Sequence, residues 1–432
     1  MSDQSYVRTE MLGEKPPPSS QVGVVKWVME NLFSSIPNAI MTIVSVWVVY
    51  YILSGILPWA FQSSWNATSL HGCRAYIAET YGEGVEGACW AVINERWQQL
   101  LFGFYPKELY WRPVVTLVLM FVAISPVLFT SVPRKIMLFS VIYPFLAFWL
   151  LWGGSIWLPI VAFLGLVIAF LAIVYLPAIV GSLFATIGAG LLPILFWIVI
   201  AGPIIDGLNG IAPIGIEGVD SDQMGGFMIS IIIGVSGIAL SLPIGILLAL
   251  GRQSPLFIVK TICVGFIEFI RGVPLITLLF VASVLLNYFL PPGTNFDLIL
   301  RVIIMVTFFA AAYMAEVIRG GLAALPKGQY EAADALGLDY WKATRLIIMP
   351  QALKISIPNI VSNFIGLFKD TTLVSIIGLL DPMGLARAIP ADQNWNGIVW
   401  EIYVFIALLF WIFTFSMSRY SMYLERKLAT GH

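Results

Sequence analysis

The sequence predicts an all-α, polytopic helical membrane protein with about ten transmembrane helices, and three observations carry that prediction. Of 432 residues, 59% are hydrophobic and only 11% are charged, roughly half the charge of an ordinary soluble domain. Mean hydropathy is +0.91. Apolar runs approaching the length that crosses a bilayer, about 20 residues, recur from residue 36 onward. The 23 basic and 24 acidic side chains nearly cancel, so the basic footprint of a nucleic-acid binder is missing and no nucleic acid is expected as a partner.

Residues 1–35 read as a cytoplasmic N-terminal segment, with Pro16, Pro17 and Pro18 followed at 21–33 by the spacing of a short interfacial helix. The first span is 36–61, which starts too far along and runs too long for a cleaved leader and reads as an uncleaved anchor. Residues 62–112 turn polar, with Trp65, Trp90, Trp97, Tyr110 and Trp111 marking interfacial positions of an outside, periplasmic loop. A span at 114–130 ends before Arg134 and Lys135. Residues 136–205 carry no charge and fit three spans, broken at Gly153-Gly154 and at 177–181. Five more spans follow at 225–250, 274–290, 298–318, 357–380 and 397–418. Residues 256–270 carry Lys260 and Glu268 and read as an interfacial helix before Pro274 turns inward. The organisation is thus 1–35, an N-terminal membrane region 36–223, and a region 224–428 that contains a cytoplasmic loop at 319–356.

Basic residues flanking short loops stay cytoplasmic. With the N-terminus inside, fifteen Lys and Arg fall on the cytoplasmic side and six outside, which also puts the C-terminus inside. Cys73 and Cys89 share the outside loop, where an oxidising compartment favours a bridge worth about 3 kcal/mol; two reduced thiols are the alternative. His71 and His432 are the only histidines, and no Gly-Lys dipeptide occurs. Neither an H-E-x-x-H metal site nor a phosphate-cradling P-loop can therefore be built. No metal site, cofactor or catalytic residue is assigned to this chain, and any ATP is expected to be bound and hydrolysed by another.

The most informative stretch is PKGQYEAADALGLDYWKATRLIIMP at 326–350. Helix formers over 329–336 end at Gly337, a residue that terminates helices with positive φ. Asp339 can cap a second helix over 340–349 that stops before Pro350. A helix, a tight turn and a helix, with Ala332, Ala333 and Ala335 beside Glu331, suits either a docking knuckle for another protein or a plain connector.

Glu331, Ala332, Ala333, Gly337, Ile347 and Pro350 match the E-A-A-x-x-x-G-x9-I-x-L-P loop of ATP-binding-cassette (ABC) importer permeases, with Met349 standing where Leu is usual. Met keeps an apolar, flexible side chain there. EFIRGVPL from Glu268, AYMAEVIRGGL from Ala312 and KDTTLVSIIG from Lys369 are similar to the polar amino-acid (histidine/glutamate/glutamine) uptake permeases. The longer chain, with its ending SMSRYSMYLERKL, resembles the permeases of general L-amino-acid and glutamate/glutamine/aspartate/asparagine systems. The resemblance covers about 225–428 and implies a C-terminal five-helix importer-type permease core in a bacterial inner membrane. It implies that the loop couples the spans to a cytoplasmic ABC ATPase dimer. It also implies a second permease, a related chain as heterodimer or a second copy as homodimer, and a periplasmic amino-acid-binding protein. The first five spans and the cysteine loop lie outside it.

If 357 opens its span, Lys369 lies about 18 Å along the helix, near the bilayer midplane. Intramembrane charges usually face a bundle interior or wet cavity, so Lys369 and Asp370 are candidates for a substrate path, with Asn363, Thr371 and Thr372 nearby. Their charges could meet the two charges of an amino acid, or each could pair with a neighbouring span. Glu268 and Arg271, and Glu316 and Arg319, repeat the form E-x-x-R-G at helical i,i+3 spacing near cytoplasmic ends. They fit a gate that changes partners or ion pairs that fix helix ends. Buried charges also leave open an ion-coupled secondary amino-acid transporter, although no matching pair of interrupted spans is visible.

Overall fold

The structure, a computed structural model, describes residues 23–129, 131–285, 288 and 297–428. The expected segment 1–22, Thr130 and much of 286–296 lie outside those residues. Two compact units are present, Met1–Ala91 and Val92–His432. Among the described residues nine helices are long and apolar enough to span a membrane, or ten if one sharply bent pair counts as a span.

The first unit holds α1 (Gly23–Asn31), α2 (Ile36–Phe61) and α3 (Leu70–Tyr81). Ser35 caps α2 by accepting from the Asn38 N–H, and Pro37 occupies the first turn, where its missing N–H costs nothing. No α2 residue is fully buried, and the helix is apolar around its circumference, as a lipid-embedded span is. Beyond α2 the loop folds back: Ala88 N donates to Trp59 O at 2.7 Å, and Trp90 Nε1 to Ala60 O at 3.0 Å. Cys73, on α3, is joined to Cys89 by a disulfide, with Cα atoms 6.0 Å apart.

The second unit begins with α4 (Ala91–Phe102), α5 (Trp111–Leu128), α6 (Met137–Trp152), α7 (Trp157–Tyr175), α8 (Pro177–Leu195) and α9 (Ala201–Ile211). The expected breaks are where glycine supplies backbone angles other residues avoid: Gly153 and Gly154 have φ of 71° and 77°, and Gly181 kinks α8 at φ 81°. Gly154–Ser155 (β1) pairs antiparallel with Gly215–Ile216 (β2). The span expected near 205 is built from the end of α8, a π-turn at Phe196–Ile200 and α9.

The remainder comprises α10 (Gly226–Gln253), α11 (Phe257–Gly272), α12 (Leu275–Phe280), α13 (Leu298–Ala323), α14 (Lys327–Ala335), α15 (Tyr340–Ala343), α16 (Met349–Asp370), α17 (Pro382–Ala388) and α18 (Trp400–Leu428). Residues 256–270, expected to lie at the interface before Pro274 turns inward, and the start of the 274–290 span form a bent pair with a 102° corner. Pro274 sits in that corner, where it offers no N–H to continue a helix and pushes Val273 to an extended conformation (ψ 131°).

Two apolar clusters stack along this part. One, away from the α14–α15 loop, gathers Met228, Ile233, Leu279, Ile299 and Val306, with Tyr105 from the segment after α4 and Leu151 from α6. The other, next to the loop, gathers Ala249, Ile267, Ile318, Met349 and Ala352. The sequence reading groups 36–223 apart from 224–428; in the structure residues from 92 onward share one unit and one cluster with the later helices. Close helix approach relies on small residues. At Gly321 a Cβ would overlap Ser356 Oγ and the Ala352 carbonyl, so α13 and α16 touch backbone to backbone beside the loop.

Candidate functional site

The loop expected to couple the permease to a motor has the predicted first helix and turn. Gly337, at φ +67°, donates to Asp334 O at 2.9 Å, and Leu338 N reaches Ala333 O at 3.2 Å. This pair of bonds ends α14 in a left-handed residue and satisfies carbonyls that would otherwise be orphaned. Asp339 then caps α15 from Lys342 N at 2.9 Å. That backbone N–H, followed by the Lys342 ammonium at 3.1 Å, holds the Asp339 carboxyl below the usual carboxylate range.

The second helix departs from expectation because it does not stop before Pro350. It passes through a π-turn at Thr344–Ile348 into α16, making one rod of helical turns over Tyr340–Ile377, 38 residues long. The Met349 N–H reaches back to Thr344 O. The widened turn relieves the clash a proline ring makes with the carbonyl four residues earlier, so Pro350 follows without a break.

Of the motif residues, Glu331, Ala332, Gly337 and Pro350 are exposed; Ile347 is half-buried; Ala333 and Met349 are buried. Gln351 Nε2 donates to Gln329 Oε1 at 3.0 Å, tying α16 to α14. Around the turn Leu336, Tyr340, Trp341 and Leu346 stand exposed, a grouping of uncovered apolar side chains that marks interaction surfaces on otherwise polar loops.

A cavity of about 290 Å³ lies between α13 and α16, lined among others by Tyr313, Ser362, Asn363 and Asp370. Two of the five expected path residues, Asn363 and Asp370, are therefore brought together. The other three are not on its wall. Lys369 is exposed, because the next position on a helix points about 100° away. Thr371 is buried and donates to Phe368 O, and Thr372 donates to Lys369 O. Sequence reading missed Tyr313 and Ser362, whose only signal was their spacing on helices that had to be seen packed.

Nearer the loop, the expected charge pairs form a larger network. Glu316 accepts from Arg252 Nη1 at 2.6 Å and from Arg319 Nη2 at 2.9 Å, and lies 3.7 Å from Arg271 Nη1. The Glu316–Arg319 pair is present as expected. Glu268 instead bonds Arg252 at 2.9 Å, since Arg252, at the end of α10, is close enough to serve both carboxylates. Three arginines and two glutamates thus join α10, α11 and α13. The Arg271 guanidinium also lies 5.6 Å from the Tyr313 ring centre, a favourable cation–π placement that links the network to the cavity wall.

At the opposite end the backbones of three segments meet. Gly103, at φ +71°, is bridged to Met224; a Cβ on it would overlap Gly225. Gly226 N donates to Leu380 O at 2.7 Å. Arg96 on α4 pairs with Asp392 beyond α17 at 2.7 Å. Asp381 caps α17 through Gly384 N at 2.9 Å, yet it is fully buried, and burial pushes its carboxyl up to about 6.

The family described as binding-protein-dependent transport system inner membrane component matches residues 241–430. A glutamate/glutamine/aspartate/asparagine transport system permease protein of Rhodobacter capsulatus is 58% identical over 436 residues, covering 100% of both chains. An inner membrane amino-acid ABC transporter permease protein of Escherichia coli is 40% identical, covering 98% of each. A probable glutamine ABC transporter permease protein of Bacillus subtilis is 31% identical over 214 residues, 49% of this chain and 95% of that one. Among solved structures, an amino acid ABC transporter crystallised with histidines matches at 29% identity and TM-score 0.41, over 46% of this chain and 90% of that one.

Proposed function

The chain belongs to the amino-acid permeases of binding-protein-dependent ABC importers, and on that premise we propose that it conducts polar L-amino acids, among them glutamate, glutamine, aspartate and asparagine, inward across the bacterial inner membrane. It is a multi-pass transport subunit and not itself an enzyme; a separate ATPase supplies the energy, and a substrate-binding protein delivers the cargo. Both termini face the cytoplasm in this reading, and a second, related permease completes the pathway. The ion-coupled alternative has no support from the relatives.

The observation that carries the mechanism is the unbroken rod Tyr340–Ile377. Its cytoplasmic end bears the exposed turn with Glu331, Gly337 and Trp341, and its far part lines the cavity with Asn363 and Asp370. A displacement applied by the ATPase at the turn is carried toward the cavity along this run of helical turns, which the π-turn keeps continuous at Pro350 and which bears a second proline, Pro358, within α16. Tyr313 supplies an aromatic wall and a phenolic hydroxyl, Asn363 and Ser362 supply hydrogen bonds, and Asp370 offers an anion for an α-ammonium group. The Arg252–Glu316 network closes the route toward the cytoplasm. Opening it exchanges ion pairs, a cheap step for partly exposed charges.

The test is uptake by the assembled complex in proteoliposomes with a glutamine-loaded binding protein. Uptake should require ATP, and Glu331→Lys or Gly337→Asp should abolish it with membrane insertion unchanged. ATP-independent uptake driven by a sodium or proton gradient would reject the assignment, and wild-type transport by both variants would remove the loop from it.

A further inference from the structure

Half of this chain has no counterpart in the probable glutamine permease of Bacillus subtilis, which is 95% covered by 214 aligned residues. The structure shows where part of that extra length goes. The segment after α4 seats Tyr105, 2% exposed, in the apolar cluster with Met228, Leu279 and Ile299, and its hydroxyl donates to Leu151 O at 2.8 Å. Burial pushes the phenol up, against a lowering by Arg112. Phe104 N donates to Gln223 O at 3.1 Å, just before α10. The Gly103 backbone abuts Gly225, whose neighbour Gly226 bonds Leu380. Arg96, three-quarters covered, joins Asp392. The start of α10 and both ends of the 380–392 connection, which continues the rod beyond Ile377, are thus tied to one segment that precedes the family-matched region 241–430.

We propose that residues 92–110 are an outer brace, with Arg96 and Tyr105 as positioning residues that keep the start of α10 and the 380–392 connection together through the whole transport cycle. The argument is one of stiffness. Backbones in direct contact have no side chain to rearrange, and packed interiors are bistable at best, not continuously deformable. A displacement entering at the cytoplasmic turn therefore cannot be dissipated as slack at the outer end of the rod. It must be expressed between the cavity and the ion network. Residues 92–110 precede the family-matched region 241–430, so the brace refines coupling without being part of the transport chemistry.

The proposal rests on the transport reading, and two measurements on the complete complex separate them. If wild-type proteoliposomes show no nucleotide-driven uptake, the transport reading fails. Given that uptake, Arg96→Ala should lower amino acid transported per ATP hydrolysed by about five-fold, with ATPase activity retained. Arg96→Lys should restore the ratio. A purely structural residue would reduce the amount of complex and leave the ratio alone; a wild-type ratio in Arg96→Ala overturns the brace. The second measurement crosslinks Arg96→Cys to Asp392→Cys, in a Cys263→Ser background, with a short thiol–thiol reagent after membrane insertion. A brace that never opens predicts full uptake after crosslinking, whereas arrested uptake would identify the pair as a moving gate and overturn the proposal.

Discussion

The two ends of the helical core are held by different forces. Next to the turn between α14 and α15, α10, α11 and α13 are joined by Arg252, Arg271 and Arg319 around Glu316, with Glu268 at the margin. At the other end most joints are backbone on backbone, at Gly103, Gly225 and Leu380, with Tyr105 sealed among apolar side chains and one ion pair, Arg96 with Asp392, beside them. Partly hydrated ion pairs exchange partners at small net cost. Close-packed backbone does not, since any separation opens a void or strands a buried N–H. Under the proposed function the contrast puts movement at the charged end and constancy at the packed end.

The largest expected effect tests the packed end. Gly103→Val adds a branched side chain at φ +71° directly against Gly225, so a loss above about 3 kcal/mol is expected, read as absence of a folded monodisperse peak in detergent. A stable, folded Gly103→Val protein would break the comparison.

Next comes Asp381, buried with its carboxyl at about 6. A carboxyl whose folded pKa is raised binds its proton more tightly when native. Its contribution to stability is therefore most favourable below about pH 4, falls between about pH 4 and 6, and is constant above, by about 3 kcal/mol in all. Asp381→Asn keeps an oxygen for Gly384 N and should flatten that decline in thermal unfolding measured from pH 4 to 7. An unchanged decline in the variant would relocate the titration to another group.

Smaller effects grade the charged end. Glu316→Gln removes the negative charge shared by three arginines and should destabilise by about 2 kcal/mol, less than for a fully buried pair because the side chain is 16% exposed. Glu268→Gln, at 54% exposed, should cost less than about 1 kcal/mol in the same melting assay. Equal costs would mean the network is not centred on Glu316.

Much of this was legible in the chain itself. Apolar run lengths gave the spans, glycine and proline gave the breaks at 153–154, 181 and 273–274, and Asp339 with Gly337 gave the capped turn. The helix stop at Pro350 was misread because proline in isolation disfavours an α-turn, and a π-turn that accommodates it leaves no mark in composition. The partner of Glu268 was misread for a related reason. Helical spacing offers Arg271, but a residue 16 positions away on another helix came closer in space. Lys369 and Asp370 are adjacent in sequence, yet only Asp370 lines the cavity, since helical rotation sends neighbours to different faces.

By itself the sequence determined that the protein is helical, that it lives in a membrane, and that it carries a capped helix–turn–helix at 329–343, because each depends on local properties: hydrophobicity over about 20 residues, φ preference and cap chemistry. Which arginine meets which glutamate, which polar residues share a cavity, and that the segment around Tyr105 closes over the start of α10 were decided only by the tertiary structure. These depend on how helices rotate and approach one another, and that is set by the packing of all their side chains at once.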